Sequence, residues 1–210
     1  AYVQTLTLKG AADGRLFIRA EIGGDKPNAK LHIVVADPAD GTIVADELLP
    51  AGMRKVRTEI ATRAEHLWSP NDPYLYDVTA TLEFGAAKSQ GKQEKLQQES
   101  QEIQEKPAKS QEKQDIVRSY CAFRTVEIKP DLKGIARFHL NGKPVFLKGV
   151  LDQGYWPDGL LTAPSDEALV HDIIAMKESG FTMLRKHIKI ESARWYYHCD
   201  RLGMLVWQDA

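Results

Sequence analysis

Apolar residues recur at every second position through most of the first 84 residues. In Leu31-His32-Ile33-Val34-Val35 and Val56-Arg57-Thr58-Glu59-Ile60 the odd and even positions differ in polarity. A strand with one face on a core reads this way. Runs of this kind cover residues 2–8, 16–22, 31–36 and 56–62, the run at 74–84 continues them, and 119–128 closes the series. Turn-forming residues separate them at 10–14, 23–28, 37–41 and 50–52. Short strands at this spacing, with no room for a helix, predict an antiparallel sandwich.

One stretch breaks the pattern. Residues 86–115 hold eight Gln, six Lys and five Glu, and their only large apolar residues are Leu96 and Ile103. Such a segment buries too little surface to offset its ordering entropy. A polar, low-complexity insertion between the last two strands is expected, with a partner-binding helix as the alternative reading.

After Ile128 the period changes. The apolar run at 144–151 reads as a buried strand. A helix follows, capped by Ser165 or Asp166, with Leu169, Ile173 and Met176 on one stripe and Gly180 as its stop. Residues 181–184 form a second apolar strand, Ser192 can cap a second helix through Leu202, and Gly203 ends it before a third strand at 204–207. This β-α-β-α-β order, with strands apolar on both faces, predicts a parallel sheet covered by helices. The expected division is an all-β unit at 1–128, carrying the insertion at 86–115, and an α/β unit at 129–210.

Composition adds mostly exclusions. A net charge of −1 offers no basic face for nucleic acid or an anionic membrane, and no partner of either kind is expected. No apolar run approaches the roughly 20 residues that span a bilayer. The opening residues alternate like a strand and lack the plan of a signal peptide. The compartment stays open, with a periplasmic or secreted setting favoured over a cytoplasmic one. Cys121 and Cys199 lack CxxC spacing and read as buried thiols, so neither a zinc site nor any other cofactor is expected. Motifs of the types GxGxxG, P-loop, HExxH and GxSxG are missing from the sequence.

Three motifs carry a resemblance. Leu67-Trp68-Ser69-Pro70 is followed by Pro73-Tyr74-Leu75-Tyr76. Phe123-Arg124-Thr125-Val126-Glu127-Ile128 precedes Leu140-Asn141-Gly142-Lys143-Pro144-Val145 and Leu147-Lys148-Gly149-Val150. Gly180-Phe181 and Leu184-Arg185 lead to Asp200-Arg201-Leu202-Gly203 and Trp207-Gln208-Asp209. In this order they resemble the family 2 glycoside hydrolases, the group of β-galactosidases, β-glucuronidases and β-mannosidases. Ala122 departs from the glycine usual before the Phe-Arg of the second motif.

The resemblance implies an immunoglobulin-like β-sandwich followed by the first part of a (β/α)8 barrel. It also implies a retaining mechanism with two glutamates at later strand ends. Those glutamates are expected outside these 210 residues, so no catalytic acid or nucleophile is assigned and the chain alone is expected to be inactive. Barrel enzymes build their sites at the C-terminal ends of the strands. That rule selects Asp152 and Gln153 after the first strand, Arg185 and His187 after the second, and Asp209 after the third.

The family places an arginine like Arg185 beside the nucleophile, where it can hydrogen-bond a carboxylate and keep it ionised. An ion pair that only ties loops together is the other reading. His187 can donate to a sugar hydroxyl or bond to backbone, and Asp209 can hold a hydroxyl or orient Arg185. Trp156 can stack on a sugar ring or pack against its own loop. Trp195, Tyr196 and Tyr197 read as helix-to-barrel packing. The expected partners are a carbohydrate substrate and the remainder of a parent enzyme, with self-association through an open barrel edge. A non-catalytic carbohydrate-binding or assembly module is the alternative function.

Overall fold

The chain opens with a long antiparallel pair. β1 (Tyr2–Gly10) pairs with β2 (Arg15–Gly23), and β2 pairs with β5 (Lys55–Ala61). The second sheet contains β3 (Ala29–Ala36), β4 (Ile43–Pro50), β6 (Tyr76–Phe84) and β7 (Asp115–Cys121), in the order β4-β3-β6-β7. This computed structural model describes residues 1–24, 28–52, 54–84 and 114–209.

Alternation in the sequence becomes alternation of burial. Leu16, Ile18, Ala20 and Ile22 from β2 meet Leu31, Ile33 and Val35 from β3 and Tyr76, Val78, Ala80 and Leu82 from β6 in one apolar cluster. Burying each large aliphatic side chain contributes about 1.5–3 kcal/mol, so the two inner faces hold the sheets together. Tyr76 starts β6, and its hydroxyl accepts the His66 N–H at 3.1 Å, tying the preceding loop to the core. At the shared edge, the Asp115 carboxylate accepts the Val3 N–H at 2.6 Å.

A small antiparallel sheet follows, made of β8 (Val126–Pro130), β9 (Ala136–Leu140) and β10 (Lys143–Pro144) in the order β10-β9-β8. As the Asn-Gly pair predicts, the last two strands turn at Asn141-Gly142, with Asn141 at φ 52. Next come β11 (Gly149–Asp152), α1 (Asp166–Glu178), β12 (Met183–Lys186), α2 (Ala193–Leu202) and β13 (Leu205–Gln208). The three strands form a parallel sheet in the order β11-β12-β13. Leu169, Ile173, Leu184, Trp195, Cys199 and Met204 form its core beneath the helices. A closed barrel is not evident among the described residues.

Several expectations are corrected. Strand β4 went unread, because Val44 and Ala45 are both buried while Asp46, Glu47 and Leu48 are exposed, which erases the period on an edge strand. The run at 119–128 is two strands in different sheets. Phe123 is buried in the sandwich, whereas Val126 and Ile128 are 61% and 64% exposed on β8. The apolar run at 144–151 pairs into the parallel sheet only from Gly149, after Pro144 has paired with β9 and Phe146 has turned outward.

Ser165 caps α1, its Oγ accepting the Ala168 N–H at 3.2 Å, but Ser192 stands at the start of α2 without a side-chain cap bond. The polar insertion lies outside the described residues up to Lys113, and Asp115, counted in it, already belongs to β7. Both cysteines are buried. Burial pushes the Cys121 thiol up to about 12 and raises that of Cys199 as well, which leaves neither as a ready thiolate.

Candidate functional site

Parallel pairing sets the ends of β11, β12 and β13 side by side. Leu151 pairs with Arg185 and Arg185 with Trp207, while Asp152 pairs with Lys186 and Lys186 with Gln208. Burial separates the faces: Leu184 and Lys186 point beneath the helices, and Arg185 points to the uncovered face. There the Arg185 guanidinium meets Asp209 through two bonds, Nε to Oδ1 at 3.1 Å and Nη2 to Oδ2 at 3.2 Å. This fork fixes the plane of the guanidinium and leaves it half exposed. Beside it, the Gln153 amide nitrogen lies 3.0 Å from His187 Nδ1, and the His187 N–H donates to the Asp152 carbonyl at 2.9 Å.

Four of the six expected residues, Gln153, Arg185, His187 and Asp209, thus stand as two hydrogen-bonded pairs. The other two lie apart. Asp152 turns its carboxylate to the helix side, taking the Gly154 N–H at 2.8 Å and Lys186 Nζ at 2.8 Å. Trp156 packs on the core beneath the helices, and Tyr155 is the exposed aromatic of that loop. Among the described residues, no three His, Cys, Asp or Glu side chains gather as a metal site.

Behind the strand ends lies a group of charges that sequence reasoning missed. Lys186 is fully buried, with Nζ also 3.3 Å from Glu191 Oε1 and 4.1 Å from the centre of the Trp195 ring. Lys189 Nζ lies 2.7 Å from the same Glu191 oxygen. Desolvation pushes the Glu191 carboxyl up, but the Lys189 hydrogen bond and the Lys186 charge outweigh it and hold the group below its usual range.

The three motif segments of the sequence meet where the sandwich joins α2. Trp68 Nε1 donates to the Asp200 carbonyl at 2.7 Å, and the Arg124 guanidinium lies 4.2 Å over the Trp68 ring. Arg124 Nη2 lies 2.6 Å from Asp200 Oδ1, and the Tyr120 hydroxyl donates to Oδ2 at 2.9 Å. Burial, then the Asp200 charge and hydrogen bond, raise the Tyr120 hydroxyl above its ordinary range. Gly203, at φ 72, closes α2 where a Cβ would meet the Pro70 carbonyl oxygen at 2.2 Å. Tyr197 belongs to this joint, its ring 5.1 Å from that of Tyr120. It packs on the sandwich, which corrects its assignment to the parallel sheet. Trp195 does pack beneath the sheet.

No family model matches the chain. It is similar to the β-galactosidase of Lactobacillus delbrueckii subsp. bulgaricus, 25% identical over 197 residues that cover 94% of this chain and 16% of the relative. With the β-galactosidase of Photobacterium profundum, identity is 34% over 88 residues, 42% of this chain and 8% of the relative. The fold is similar to that of Bifidobacterium dentium β-glucuronidase, at TM-score 0.71 and 22% identity, over 99% of this chain and 30% of that one. Parabacteroides merdae β-glucuronidase gives a TM-score of 0.70 at 19% identity, over 99% of this chain and 23% of that one.

Over nearly its whole length the chain is thus similar to part of a β-galactosidase in sequence and to part of two β-glucuronidases in fold. It spans 16% and 8% of the length of the two curated β-galactosidases named above. The described residues, sandwich included, share the fold of that part of the two β-glucuronidase structures.

Proposed function

We propose that this chain is the part of a retaining β-glycosidase that contains an immunoglobulin-like sandwich at 1–128 and the opening strands of a (β/α)8 barrel at 129–210. The observation that carries this reading is the pairing of Arg185 with Asp209, and of Gln153 with His187, at the C-terminal ends of three parallel strands. Barrel enzymes hold their substrates at that edge. The strand order β1-β2-β5 against β4-β3-β6-β7 supports the immunoglobulin-like assignment.

In this reading the sugar occupies the uncovered face of the strand ends. Arg185, held in plane by Asp209, hydrogen-bonds the nucleophilic carboxylate and keeps it ionised. His187 and Gln153 address sugar hydroxyls, and Tyr155, the exposed aromatic of the first strand-end loop, borders the ring. Asp152 acts behind the pocket through Lys186. The acid and the nucleophile, about 5 Å apart in a retaining enzyme, come from strands beyond these residues. The uncovered face and unpaired edges of the parallel sheet also support association with a second copy when the chain stands alone.

An assay against aryl β-galactosides, β-glucuronides, β-mannosides and β-glucosides tests this. The 210-residue chain is expected to turn over none of them, and the full-length parent at least one. In the parent, Arg185→Ala is expected to lower kcat/KM by about 10²-fold or more, as loss of a preorganised electrostatic partner does. Turnover by the chain alone, lost on changing one of its own carboxylates, would overturn the proposal.

A further inference from the structure

The loops after β11 and β12 converge on one buried ammonium. Lys186 occupies a place beneath the helices where Leu184, two residues earlier, is apolar. A methionine could fill that place without the cost of burying a charge, so packing alone does not account for a lysine. The charge links separate pieces of chain. Lys186 Nζ lies 2.8 Å from Asp152, which ends β11, and 3.3 Å from Glu191, which precedes α2. Lys189, joined to the same Glu191 oxygen, donates to the carbonyls of Gly154 at 3.1 Å and Leu161 at 2.6 Å, near the two ends of the first strand-end loop. The far side is tied to β13, because the Gln208 amide donates to the Lys189 carbonyl at 3.0 Å.

Gly154 shows how closely the loop lies on these charges. At φ 61 it has left-handed backbone, and a Cβ there would stand 2.2 Å from Glu191 Oε1 and 2.9 Å from Lys189 Nζ. The residues that flank the cluster are the ones read as sugar-facing: Gln153 lies between Asp152 and Gly154, and His187 follows Lys186.

We propose that Lys186 is a positioning residue. Through Asp152 and Glu191 its ammonium clamps the loops after β11 and β12, so that Gln153 and His187 hold their geometry toward a bound sugar. Lys186 itself touches no sugar. The effect on turnover rests on the glycosidase reading above, whereas the clamp does not.

The test uses Lys186→Met, the double variant Lys186→Met/Glu191→Gln, and Lys189→Met, which spares the Lys186–Asp152 contact should the first fail to fold. Hydrogen exchange on the chain is expected to speed up about tenfold or more for the amides of residues 154–163 in all three, with β2 and β6 unchanged. In the parent, kcat/KM on its best aryl β-glycoside is expected to fall by at least about tenfold, since misplacement by about 1 Å can cost 10²-fold.

The double variant separates positioning from mere stability. It removes one anion along with the cation and so restores the charge balance of the buried cluster, leaving Asp152 and Lys189, and its thermal midpoint is expected to recover while kcat/KM does not. Unchanged exchange in the loop, or recovery of kcat/KM along with the midpoint, would overturn the proposal. If the parent hydrolyses no aryl β-glycoside, the exchange data alone decide the clamp, and the missing activity counts against the glycosidase reading.

Discussion

Glu191 ends up ionised more readily than a free glutamate, although it is buried. Its folded carboxyl lies below the ordinary 4.5, because Lys189 and Lys186 outweigh desolvation. A depressed carboxylate contributes stability that is fully present above the unfolded value and is lost as pH falls through the folded one. The expected outcome is that Glu191→Gln lowers the urea midpoint near neutral pH, and that the gap from wild type closes as pH drops below about 4.5. A gap that stays constant down through that range would sink the assignment. The strand-end rule selects Arg185, His187, Asp209 and Gln153, which pair there, and also Asp152, whose carboxylate turns to Lys186 instead. Lys186 and Glu191 were not legible in the sequence. A lysine after Arg185 reads as the polar end of an apolar strand, and which of two adjacent cations is turned inward depends on the register of the whole sheet.

Among the elements, legibility followed burial on one face. Strands β2, β3 and β6 alternate because each has an inner face on the sandwich core, whereas β4 at the edge and β8 outside the sandwich do not alternate against that core. What holds α2 to the sandwich was visible only as motif segments of unknown purpose, since Trp68, Arg124 and Asp200 are far apart in sequence. Asp200 unites them, its carboxylate taking both Arg124 and Tyr120. Asp200→Ala leaves a cation and a hydroxyl without their partner in a setting that is only partly open to water. A loss of about 2 kcal/mol is expected. For a chain of this size that corresponds to a midpoint lower by about 4–8 °C. Calorimetry is expected to show that fall, with hydrogen exchange rising in α2 and β13 before the sandwich strands. An unchanged midpoint would mean that the Asp200 carboxylate does not hold the joint, which would then rest on the Trp68 bond to the Asp200 carbonyl and on apolar contact.

At the scale of the whole molecule, the two halves bury their sheet faces to different degrees. The sandwich buries the inner faces of both its sheets, and β1 and β7 meet along one edge. Among the described residues, the parallel sheet has helices on only one of its faces, and β11 and β13 each present an unpaired edge. Leu151 and Trp207 lie on the other face at 55% and 45% exposure, with Arg185 between them. Unpaired strand edges next to exposed apolar side chains are templates for association. In a complete (β/α)8 barrel the remaining strands would meet both needs. In the isolated chain a second copy is the available substitute, so the sedimentation mass is expected to rise with concentration across the micromolar range. Leu151→Lys places charge on that face beside Arg185 without touching the core beneath the helices or the contact of Trp207 with Phe138, and it should return the chain to a monomer with the sandwich intact. A wild-type chain that stays monodisperse and monomeric throughout would show that the open face is satisfied within one molecule, and the unfinished-barrel reading of residues 129–210 would lose its physical basis.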